Sequence, residues 1–69
     1  MTNEDLERFF TYHAPKEGQL ERYKAIRQAA KHFAEKVLAN TPEGPDQSAA
    51  IRKIREAVMT ANASIACEK

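Results

Sequence analysis

Cysteine occurs once in these 69 residues, at Cys67, so no disulfide can form within the chain. A single unpaired thiol fits a reducing compartment, and the cytoplasm is the expected setting. The soft metal ligands are His13, His32 and Cys67, in three different segments. No zinc-type spacing arises from them, and no metal or other cofactor is expected. Glycine is confined to Gly18 and Gly44, which excludes a Gly-rich phosphate loop. No serine–histidine–aspartate candidate and no HExxH string is present, so the chain is not expected to be an enzyme. Charge of one sign is lacking too. Eleven basic and ten acidic residues leave a net charge of +1, whereas duplex DNA draws a strongly basic domain. No apolar run approaches the ~20 residues that span a bilayer. The opening stretch MTNEDLERFF is acidic and polar, unlike a secretory signal. DNA and membrane are therefore not expected partners.

What is present is helical patterning. Thr2, with Asp5 three residues on, reads as the cap of a short helix over about residues 3–10. Residues 11–15 form a connector, in which Pro15 keeps Ala14 out of the helical region. Leu20, Tyr23, Ile26 or Arg27, Ala30, Phe33 or Ala34, and Val37 recur at steps of three and four. They predict a long helix over about 16–39, with Gly18 a mild weakness near its start. Pro42, Gly44 and Pro45 stop that helix. A second long helix over about 46–66, or from Pro45, carries Ile51, Ile54, Val58, Ala61 and Ile65. A six-residue turn between two such helices makes them antiparallel neighbours.

The expected fold is thus all-α: a short N-terminal helix followed by an antiparallel helical hairpin, one domain over residues 1–69. A chain this short buries only ~60% of its unfolded surface. Small folds usually add disulfides, a metal or partner subunits. With the first two excluded, self-association into a homo-oligomer is expected. Phe9, Phe10, Met59, Ala63 and Ala66 lie off the hairpin seam. Either the N-terminal helix folds back over them or a second copy packs there.

Binding residues stand out more than catalytic ones. Lys24, Arg27 and Lys31 share one helix face at i, i+3 and i+7. Arg52, Lys53 and Arg55 cluster on the second long helix, where Arg52 and Glu56 are spaced to pair. The bland alternative is a solvated face. Tyr12 and His13 are unusual in so short a loop. An aromatic ring one turn from a basic face can stack a base while a guanidinium takes a phosphate. The alternative for Tyr12 is a ring plugging the open end of the hairpin, its hydroxyl on a backbone carbonyl. Asn62 sits in a helix among apolar and small neighbours. It either reads a purine edge or fixes helix register.

Two strings carry a resemblance. Thr11-Tyr12-His13-x-Pro15 with Arg22-Tyr23-x-x-Ile26-Arg27-x-Ala29-Ala30 is one. Glu56-Ala57-Val58-Met59-x-Ala61-Asn62-Ala63-Ser64-Ile65-Ala66 is the other, with Pro42-x-x-Pro45 between them. Over roughly residues 11–67 the chain resembles the hairpin domain of phage anti-CBASS and Thoeris anti-defence proteins, the cyclic-nucleotide sponges. The resemblance implies binding and sequestration of cyclic oligonucleotide immune messengers without cleavage, in the cytoplasm of an infected bacterium. Family ligands are cyclic dinucleotides such as 3',3'-cGAMP, cyclic trinucleotides and glycocyclic ADP-ribose species, and the family assembly is a hexamer. It implies that Tyr12 stacks on a base and that Arg27, fifteen positions later, meets a phosphate. Arg27 stands where better-known members have lysine, and Thr60 where many have tryptophan. The candidate ligand-binding set is Tyr12, His13, Lys24, Arg27, Lys31, Met59 and Asn62. The rival reading is a helical-hairpin protein–protein interaction module, docking through Phe9, Phe10 and Met59 with no small-molecule ligand.

Overall fold

The computed structural model describes residues 1–68, and its regular structure is three α-helices: α1 over Asn3–Phe10, α2 over Gln19–Asn40 and α3 over Pro45–Ala66. The start of α1 is set by a reciprocal cap. The Thr2 hydroxyl accepts from the Asp5 N–H at 3.1 Å, and the Asp5 carboxylate accepts from the Thr2 N–H at 3.0 Å. Both satisfy backbone donors that a helix N-terminus leaves open. An Arg8–Asp5 ion pair of 2.9 Å adds a tie across the first turns.

Helix α2 begins at Gln19, three residues later than its periodicity predicts. Gly18 is the N-cap residue and adopts φ +82°, a left-handed conformation that costs an L side chain but not glycine. The Lys16 carbonyl accepts from the Gln19 N–H, closing a turn ahead of the helix. Gly18 is therefore a start signal, not a flaw inside the helix. At its other end α2 runs through Asn40, and the connection to α3 is four residues, 41–44, rather than six. The Thr41 hydroxyl donates to the Val37 carbonyl at 2.6 Å, and the Gln47 amide donates to Thr41 from the first turn of α3. Pro45 occupies the first turn of α3, where its missing N–H has no intrahelical use.

Each long helix has 22 residues, ~33 Å at 1.5 Å per residue, and the two pack side by side along their length. Their seam resolves the alternatives of the sequence pattern. Ile26 and Ala34 face it half-buried, while Arg27 and Phe33 are exposed. Leu20, expected on the stripe, is 65% exposed, and Gln19 takes its place at 4%. The other buried residue among those described is Ile65, at 5%. Two helices meeting along one line cannot enclose a core, so the remaining seam residues stay half-covered.

The surface area registers the same fact. The chain exposes 5785 Å², whereas a compact monomer of this mass exposes roughly 4,400 Å². Its radius of gyration is 15.1 Å, against about 11 Å for a compact chain of this length. The excess, about 1,400 Å², is of the order that subunit interfaces cover.

Helix α1 does not fold back over the off-seam residues. Phe10 is 84% exposed, Phe9 47% and Met59 59%. The helix is held at its end instead. The Arg8 carbonyl accepts from His13 Nε2 at 2.7 Å and from the Cys67 thiol at 3.4 Å. Arg8 is among the last residues of α1, whose carbonyls have no intrahelical partner. Cys67 is thus a half-buried tether. None of the helices described is long and apolar enough to cross a membrane.

Candidate functional site

The connector of residues 11–18 crosses the open end of the hairpin, and one side chain pins it there. The Gln19 amide donates to the Ile65 carbonyl and to Glu68 Oε1, both at 3.1 Å. Its carbonyl accepts from the Lys16 N–H at 2.8 Å. The connector, the start of α2 and the end of α3 therefore meet on one buried amide. Arg22 reinforces the junction with a 2.7 Å ion pair to Glu68. That guanidinium, and then the Gln19 amide, hold the Glu68 carboxyl below the usual carboxylate range. Gln19 lies four residues before Tyr23 and seven before Ile26. Helical spacing thus placed it on the stripe, and only its polarity hid it.

Beside this junction lies an open cleft of about 750 Å³, a volume that suits a small-molecule site. The connector contributes Tyr12, His13 and Pro15. One face of α2 contributes Leu20, Tyr23, Lys24 and Arg27 with Glu21 at the edge, and α3 contributes Met59, Asn62, Ala63 and Ala66. Six of the seven candidate residues gather here: Tyr12, His13, Lys24, Arg27, Met59 and Asn62. Lys31 does not. One turn beyond Arg27 on the same face, it lines a separate concavity of about 300 Å³ with Arg27, Arg55 and Met59, too far along α2 for the connector to reach. Tyr23, assigned to the seam, is half-buried and also lines the cleft. The spacing of Leu20, Tyr23, Lys24 and Arg27, at i, i+3, i+4 and i+7, already pointed to a common face.

The tyrosine ring is available. Tyr12 is 84% exposed, so it does not plug the hairpin; His13 makes the backbone contact instead. Because a carbonyl only accepts, His13 Nε2 is the donor in that contact. Lys24 and Arg27 form no ion pair among the described residues, which leaves both cations free for an anion. Arg52 and Glu56 are not paired either.

Asn62 is the polar anomaly of the cleft. Its Oδ1 is buried and has no hydrogen-bond partner among the described residues. A buried acceptor without a donor costs ~1–3 kcal/mol. The sequence marked Asn62 as unusual; the structure places the cost on its carbonyl oxygen.

Chemically the cleft offers a stacking ring, two cations and an acceptor that have no partner among the described residues, and an aliphatic floor. Serine, cysteine and aspartate do not line it, and no hydrogen bond joins His13 to Glu21, Tyr12 or Tyr23 among the described residues. Nucleophilic catalysis needs a nucleophile within hydrogen-bond reach of a base. Nor does any group of three or more His, Cys, Asp or Glu lie close enough to hold a metal ion among the described residues.

Comparison with curated proteins and with solved structures gives no match. Comparison with family models does: residues 2–66 match the Acb2/Tad1 hairpin domain. The match covers nearly the whole chain, including the connector, both long helices and every residue lining the cleft. The chain therefore belongs to the Acb2/Tad1 hairpin family, the anti-CBASS and anti-Thoeris sponges.

Proposed function

We propose that this protein binds cyclic oligonucleotide immune messengers in the Tyr12–Arg27 cleft and withholds them uncleaved, in the cytoplasm of an infected bacterium. One observation carries the reading above the others. A free ring, two unpaired cations and an unpartnered amide oxygen converge on one cleft that offers no nucleophile–base pair. Such a set can hold a nucleotide but cannot attack it. Tyr12 stacks on a base, worth ~1–3 kcal/mol, and Arg27 grips a phosphate through its planar fork. Lys24 adds a second, point-like charge, while Met59 and the alanines cover the ligand's apolar faces.

Cyclic dinucleotides fit this set best. They carry two bases and two phosphates about an approximate two-fold axis, and an isologous contact between two protomers presents each residue twice about such an axis. Two copies of Tyr12 and Arg27 then meet one ligand. The uncovered surface of the protomer supports a homo-oligomer, and a hexamer is the assembly that family membership favours.

Titration calorimetry with cyclic dinucleotides, cyclic trinucleotides and cyclic ADP-ribose isomers tests binding. The complex is then heat-denatured and the released nucleotide weighed by mass spectrometry. Recovery of intact messenger at the stoichiometry bound supports the proposal. A linear product would refute sequestration, and the absence of binding across all three classes would refute the function.

A further inference from the structure

We propose that Lys31, Arg52 and Arg55, which lie outside the ligand cleft, form with Lys24 and Arg27 a cationic track that gathers the anionic messenger and speeds its entry into the cleft. The proposal rests on messenger binding in that cleft. It assigns residues that set how fast the messenger is taken up, not how tightly it is held.

Three concavities meet edge to edge on this face of the hairpin. The cleft holds Lys24 and Arg27. Arg27 also walls the groove of about 300 Å³, together with Lys31 from α2 and Arg55 from α3. Arg55 in turn borders a shallower hollow of about 190 Å³ with Arg52. Met59 lines all three. The order Arg52, Arg55, Lys31, Arg27, Lys24 is thus a continuous run of cations that crosses from α3 to α2 and ends in the cleft.

All five are exposed, and none forms an ion pair among the described residues. Acids stand at pairing distance along the chain. Glu35 is four residues from Lys31 and Glu56 four from Arg52, spacings at which opposite charges meet on a helix. Arg27 and Lys31 moreover set like charges one turn apart, which weakens a helix. Helix stability therefore does not account for the arrangement. Acids line only its two ends, Glu21 at the cleft and Glu56 at the hollow, and the groove between them has none. Five positive charges against two negative leave +3 on this face, so a chain of net +1 carries −2 on the rest. A near-neutral protein with its charge so divided draws an anion to one face. Charges at the rim of a site act in this way on the encounter rate and its salt dependence, and little on the bound complex.

The size of the effect follows from Coulomb's law in water. A cyclic dinucleotide is a dianion. For a unit charge ~10 Å away, screened over ~30 Å at 0.01 M ionic strength, removal of the charge slows encounter about threefold; screening over ~8 Å at 0.15 M leaves about 1.5-fold.

Stopped-flow mixing of the full chain with a cyclic dinucleotide carrying 2-aminopurine reads association and dissociation separately. At 0.01 M ionic strength Lys31→Gln and Arg55→Gln should each slow association about threefold. The triple variant Lys31→Gln, Arg52→Gln, Arg55→Gln should slow it about 20-fold, and only about threefold at 0.15 M. Dissociation should change less than about twofold throughout. The substituted side chains are exposed, so circular dichroism should keep its helical signal. Lys36→Gln removes the same charge from the opposite face of α2, nine residues or about 2.5 turns beyond Arg27. It should slow association less than about 1.5-fold. Unchanged association in the triple variant, a loss of affinity carried by faster dissociation, or an equal effect from Lys36→Gln would each overturn the track while leaving the sponge function standing. A parent chain that binds no messenger would overturn that function, and the track with it.

Discussion

Replacing Gln19 by alanine should destabilise the protein far more than a polar residue at a helix start normally does. The structure supplies the terms. Gln19 is 4% exposed and makes three hydrogen bonds, to Lys16, Ile65 and Glu68. A net ~1 kcal/mol for the buried bond to the Ile65 carbonyl, somewhat less for each of the part-buried bonds to Lys16 and Glu68 and ~0.8 kcal/mol for a lost methylene, totals about 2–4 kcal/mol. A chain of this length has roughly 3–10 kcal/mol of stability in all. At ~4–8 °C per kcal/mol, Tm should fall by roughly 10–25 °C. Thermal unfolding followed by circular dichroism reads this directly, with protomer concentration held constant because association contributes to Tm. Affinity for the messenger should fall in parallel, since the Lys16 contact holds the segment that carries Tyr12 and His13. Gln19→Glu separates the roles. It keeps an acceptor for Lys16 but turns a carboxylate toward the Ile65 carbonyl and Glu68, and it should be at least as harmful. A Tm loss of less than about 4 °C for Gln19→Ala would show that the junction does not depend on this amide.

Three further outcomes follow from the same geometry. Tyr12→Ala should weaken messenger binding by roughly 5–150-fold, the equivalent of ~1–3 kcal/mol of stacking, with Tm unchanged because the ring is exposed; Tyr12→Phe should bind nearly as the parent in calorimetry. Asn62→Leu should raise Tm by removing an unpartnered buried oxygen and lower messenger affinity; a rise in Tm with unaltered affinity would make Asn62 a packing residue only. Acid should lower the stability of the chain through Asp5 and Glu68. The Thr2 N–H, then the Thr2 hydroxyl and Arg8, hold Asp5 below the usual carboxylate range, and Arg22 and Gln19 do so for Glu68. Both groups bind protons less tightly folded than unfolded, so their contribution is complete above the ordinary carboxylate range and is lost as pH falls below about 4. Tm against pH should be level near neutrality and drop in that acid window, with a shallower drop in Glu68→Gln.

Much of this protein follows from local sequence. Thr2 and Asp5 dictate the start of α1, Pro45 the start of α3, and the spacing of Ile51, Ile54, Val58, Ala61 and Ile65 the buried stripe of α3, because caps and helical periodicity act within a few residues. Tyr12 and Asn62 stood out because each is a residue type out of place in its neighbourhood, and Lys24 and Arg27 because helical spacing sets them on one face. Other features depended on contacts distant in sequence. Gln19 reaches Ile65 across 46 residues and Cys67 reaches Arg8 across 59, so no window of a few residues could supply the partners that let an amide be buried on the seam. Lys31 shares a helix face with Arg27 yet falls outside the cleft, because the connector covers only the first turns of α2. Periodicity chooses a face; only the path of the chain across the hairpin's open end decides which part of that face becomes a site.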